Sequence, residues 1–110
     1  MKMILAIVQD EDAANLLNKL MERHLRATKI SSTGGFLRSG NTSILIGVED
    51  DQVQEVLDIL RATCRTRKKI VPPAVFSMPG PAAGALLHPV EVEVGGANIF
   101  VWDIEQYVRI

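Results

Sequence analysis

The residues with the richest binding chemistry lie in one stretch, 33–42, which reads TGGFLRSGNT. Gly34, Gly35 and Gly40 make it the densest glycine segment of the chain. Glycine admits φ > 0 and lets backbone amides approach a ligand closely. Successive free N–H groups in such a loop form a nest for an anion. Among the glycines stand a cation, Arg38, an aromatic ring, Phe36, and a carboxamide, Asn41. These groups can hold a phosphate, stack a base and read a base edge. The same composition also describes a flexible hairpin loop with an exposed phenylalanine, and a single glycine-rich run does not separate the two readings.

Other reactive residue types have simpler explanations. Glu49, Asp50 and Asp51 stand where a helix begins, and carboxylates suit the positive end of its dipole. Glu91 and Glu93 alternate with valines, as the outward residues of a strand do. His24 falls near a helix end, and His88 has no second His or Cys at ligand spacing. No nucleophile–base pair and no metal cluster emerges, so no catalytic residue, metal ligand or cofactor is assigned.

Composition narrows the class. At 110 residues, with 47% hydrophobic and 23% charged residues, the chain reads as one globular domain over 1–110. A net charge of −1 argues against a general nucleic-acid binder. A local site for a small anion remains compatible with that charge. The lone Cys64 cannot form an internal disulfide and suits a reducing, cytoplasmic setting. No apolar run approaches the roughly 20 residues of a membrane span, and the run 3–8 is too short for the core of a signal peptide.

The elements that must position the loop follow from periodicity. Residues 3–8 (MILAIV) form a continuous apolar run and read as a strand buried on both faces. Asp10 is placed to cap a helix whose apolar face is Ala13, Leu16, Leu17, Leu20 and Met21. Residues 26–31 alternate, with Arg26, Thr28 and Ile30 on one face, and 43–48 form a third strand with Ile44, Ile46 and Val48 together. These two strands make a hairpin with the glycine loop 33–42 at its tip. Gly47 inside the third strand marks a bulge or a close approach by another backbone or a ligand. A second helix carries the stripe Val53, Val56, Leu57, Leu60 and Cys64, and Arg61, Arg65, Arg67, Lys68 and Lys69 read as its basic end. Segment 71–89 holds all five prolines and no Asp, Glu, Lys or Arg. It reads as a long mobile loop suited to meeting a partner. Residues 90–94 (VEVEV) read as a strand with its valines in the core. Gly95 and Gly96 then mark a tight turn or a glycine bulge, 98–102 a terminal strand, and 104–107 a short turn capped by Asp103. The order is α+β, a ferredoxin-like βαββαβ unit with an antiparallel sheet and both helices on one face. Strand 43–48 is apolar on both faces, so the open sheet face calls for a symmetric oligomer.

The opening MKMILAIVQDED, the segment RATKISSTGGFLRSGNTSILIGVEDD and the segment HPVEVEVGGANIFVWDIEQY resemble the PII-like signal-transduction proteins that act as cyclic di-AMP receptors in Gram-positive and related bacteria. The resemblance covers nearly the whole chain. It implies a cytoplasmic homotrimer without catalysis, binding cyclic di-AMP in clefts between subunits and relaying it to an unidentified downstream protein by loop rearrangement. It also implies that Arg26 meets a phosphate and Thr28 makes a polar contact. Gly35, Phe36 and Leu37 would enclose the nucleotide, Asn41 would read an adenine edge, and Gly47 would meet the ligand through its backbone. The proline-rich stretch of 71–89 departs from the pattern. Two alternatives stand beside this expectation: a PII-like sensor of ATP or ADP, and a small ferredoxin-like enzyme.

Overall fold

The computed structural model describes residues 1–31, 40–71 and 90–110. Most of the glycine loop and nearly all of segment 71–89 therefore lie outside the described residues, including Gly35, Phe36, Leu37 and Arg38. Strand β1 (Lys2–Gln9) runs into helix α1 (Asp10–Glu22), then β2 (Ala27–Ser31) and β3 (Asn41–Val48). One 3-10 turn (Asp50–Gln52) leads into α2 (Val53–Cys64), followed by β4 (Arg67–Val71), β5 (Val90–Val94) and β6 (Ala97–Asp103). The main sheet is antiparallel in the order β2-β3-β1-β6. This is the βαββαβ order, with β4 and β5 set apart as a two-stranded ribbon between α2 and the last sheet strand.

Alternation builds the core. Ile4, Ala6 and Val8 of β1 and Ile44, Ile46 and Val48 of β3 all point to one face and are buried. Leu16 and Leu20 of α1 and Val56, Leu60 and Cys64 of α2 pack against them. Each buried Ile, Leu or Val among them contributes about 1.5–3 kcal/mol by leaving water. Glu49 begins the 3-10 turn ahead of α2 through a capping box: its backbone N–H donates to Gln52 Oε1 at 3.0 Å. Helix α1 ends in a Schellman motif. His24 N–H donates to Met21 O at 3.0 Å and Leu25 N–H to Leu20 O at 2.9 Å, with His24 at φ 58°.

Several expectations need correction. The last sheet strand is Ala97–Asp103, not 90–94. Val92 and Val94 of β5 are outside the core: they are half-buried and pair with Lys69 and Arg67. Helix α2 stops at Cys64, so Arg67, Lys68 and Lys69 belong to a strand rather than a basic helix end. A two-residue period suits them there, because Lys68 reaches Glu91 across the ribbon at 3.7 Å. Gly47 causes no bulge; it pairs in regular register with Met3. Residues 104–107 form no helical turn, and Asp103 ends β6 instead of capping one. Asp10 is the first residue of α1 rather than its cap, and its carboxylate accepts a hydrogen bond from the Thr42 hydroxyl.

Candidate functional site

The expected site residues divide along the β2–β3 hairpin. Ala27 pairs with Ile46, so Arg26, one residue before β2, falls opposite Gly47. Thr28 pairs with Leu45. Both pairs lie on the sheet face turned away from the helices. There Arg26, Thr28 and Gly47 line one cavity of about 470 Å³. Arg26 and Thr28 are exposed within it, so both can turn toward a ligand without breaking the core. A Cβ built on Gly47 would meet nothing within 4 Å, which leaves its backbone open to the cavity.

Asn41 is elsewhere. It starts β3 and pairs with Gln9, six residues from Gly47, or about 20 Å along a strand. It borders a second, larger cavity of about 750 Å³ together with Gln9, Asp10, Gly40, Gly95 and Asn98. Thus the described residues bring Arg26, Thr28 and Gly47 together and hold Asn41 at the other end of the same strand. Gly35, Phe36 and Leu37 belong to the loop outside the described residues.

The first cavity has further walls, only some of them readable in the sequence. Met3 and Leu45 supply an apolar floor, and Ile104 and Tyr107 come from the segment after β6. Leu45 was readable as an apolar residue on the strand face opposite Ile44, Ile46 and Val48. Tyr107 carried no signal, because nothing in its spacing ties it to β2. The second cavity is edged by the ribbon's anchors. Gly95 N–H donates to Gln9 Oε1 at 2.7 Å, and Arg67 pairs with the buried Asp12 at 2.8 Å. A Cβ at Gly95, where φ is +83°, would collide with the Arg65 carbonyl oxygen.

Outside the two cavity linings, several titratable groups are shifted by their surroundings. Arg67 titrates above the usual guanidinium range, first because it hydrogen-bonds Asp12. Lys2 is raised by its hydrogen bond to Asp103, the last residue of β6. Burial pushes the Cys64 thiol up. Among the described residues no three His, Cys, Asp or Glu side chains converge as a metal site, and no helix is long and apolar enough to cross a membrane.

A family model described as cyclic-di-AMP receptor matches residues 1–110, the whole chain. The crystal structure of a functionally unknown protein from Pediococcus pentosaceus ATCC 25745 is also similar. It is 39% identical, with a TM-score of 0.79, over 99% of this chain and 96% of that one.

Proposed function

This chain belongs to the cyclic-di-AMP receptor family, and from that premise we propose that it binds cyclic di-AMP in clefts between the subunits of a PII-like homotrimer. The family is one of receptors rather than enzymes, and the chain acts as a sensor without catalysis. The observation that carries the site is the shared cavity of Arg26, Thr28 and Gly47. Arg26 offers a fork of donors to a phosphate, Thr28 a hydroxyl, and Gly47 a backbone open to a flat base. Asn41 lies about 20 Å away along β3, so a ligand touching both ends needs the glycine loop and a neighbouring subunit to complete its enclosure. Gly35, Phe36 and Leu37 provide that loop wall, and Asn41 reads an adenine edge. The ligand then biases loop 33–42 or loop 71–89, which requires that its interaction free energy with the loop differ between the two loop states.

Calorimetric titration of the purified protein with cyclic di-AMP, cyclic di-GMP and ATP tests this. The expected result is one cyclic di-AMP per subunit and much weaker binding of the other two. Heat with ATP and none with cyclic di-AMP would replace the reading by an ATP or ADP sensor. The relay is tested by hydrogen exchange: protection of 33–42 or 71–89 on adding cyclic di-AMP supports it, and identical exchange in both states rejects it.

A further inference from the structure

The cavity holding Arg26, Thr28 and Gly47 has one aromatic ring among its described residues, and that ring comes from the far side of the sheet. Strand β6 is the edge strand opposite β2. After Asp103 the chain leaves β6, and Ile104 and Tyr107 line the cavity beside Arg26. The crossing is anchored at its start: Ile104 N–H donates to Met1 O at 3.1 Å, and Asp103 forms an ion pair with Lys2. Ile104 is half-buried, whereas Tyr107 keeps 61% of its surface exposed. A half-covered ring beside a cation, a hydroxyl and a bare glycine backbone is poorly used as core and well placed to take a planar ligand.

From this we infer that segment 104–107 is a wall of the nucleotide site, with Tyr107 as the stacking surface for one adenine and Arg26 on the adjoining phosphate. The inference rests on the cyclic di-AMP reading above and assigns one of its contacts. Purines stack on aromatic faces, and such a ring contributes about 1–3 kcal/mol per base by alanine substitution. At 1.4 kcal/mol per decade that corresponds to roughly 5- to 150-fold in affinity. Neither Met3 nor Leu45, the cavity's aliphatic floor, offers an equivalent π face.

The test is titration of cyclic di-AMP into the full chain and into Tyr107→Ala and Tyr107→Phe. The alanine variant should bind roughly 5- to 150-fold more weakly. The phenylalanine variant should stay within about threefold, because the ring rather than the hydroxyl does the stacking. Since Tyr107 is the one tyrosine of the chain, a labelled ring gives an independent readout: its NMR signals should shift upfield when the unmodified protein is saturated. Equal affinity for the alanine variant and an unmoved ring signal, with the unmodified chain binding normally, would overturn the assignment and leave the functional reading intact. Absence of binding by the unmodified chain would remove both.

Discussion

Arg26 and Gly47 face each other across two strands but make opposite kinds of contribution, and single substitutions separate them. Arg26 is exposed and lies outside the core, so Arg26→Ala should leave the unfolding midpoint unchanged. It should weaken cyclic di-AMP binding by about 1.5–3 kcal/mol, the worth of a charge-assisted hydrogen bond. Arg26→Lys should recover only part of this loss, since lysine keeps the charge without the planar fork. Gly47→Ala meets open space, so the fold should tolerate it while affinity falls on the order of tenfold, about 1.4 kcal/mol. Calorimetry beside urea unfolding checks both, and a loss of fold in either variant would contradict the placement. Cys64 is a residue of another kind: buried, with its thiol pushed up by that burial. Its folded pKa lies above its unfolded one. The thiol's stabilising contribution is therefore complete below the unfolded value, about 8.5, and is lost as pH rises past it toward the folded value. Iodoacetamide at pH 8 should accordingly label the native chain at least roughly tenfold more slowly than the urea-unfolded chain.

At the scale of elements, the turn after α1 shows where local preference yields to topology. His24 occupies the αL position of the Schellman motif at φ 58°, a conformation that costs an L-residue about 1–2 kcal/mol. Its neighbour Leu25 is buried, so the turn is fixed by packing and His24 carries the strain. His24→Gly should raise stability by about 0.5–1 kcal/mol after allowing for glycine's more flexible unfolded chain, read as a higher urea midpoint at unchanged slope. The sequence shows much of this layer. The alternation at Ile44, Ile46 and Val48 and the stripe Val56, Leu60 and Cys64 were legible because each faces one common core. Strand β4 was not legible, because Arg67, Lys68 and Lys69 continue directly from a helix and resemble its cationic end. What makes them a strand is a partner more than twenty positions later, β5. Local charge pattern carries no information about such a pairing. For the candidate site, alternation showed only that Arg26 and Thr28 share a strand face; naming them and Gly47 as ligand contacts came from the resemblance, and Tyr107 reaches their cavity only because β6 ends on the opposite edge of the sheet.

Among the described residues, one sheet face is left short of cover. Opposite the helices, Leu5 pairs with Leu45 on one side and Phe100 on the other, and Met3 pairs with Trp102. Phe100 and Trp102 retain 44% and 45% exposure. Together these residues form an apolar patch of the kind that marks an interface. Packing three such faces about an axis would cover them and bring a neighbour to the Arg26 cavity, so light scattering at micromolar concentration should report a trimer. Phe100→Glu tests the geometry and the site together. A carboxylate placed in that interface carries a desolvation penalty of several kcal/mol unless it is paired, so the variant should become monomeric while its circular dichroism stays that of the folded domain. Phe100 is three strand spacings from Arg26, roughly 14 Å across the sheet, too far to touch a phosphate bound there. A fall in cyclic di-AMP affinity that tracks loss of the trimer would therefore mean that the neighbouring subunit supplies part of the site. A monomeric variant that still binds with full affinity would confine the site to one chain.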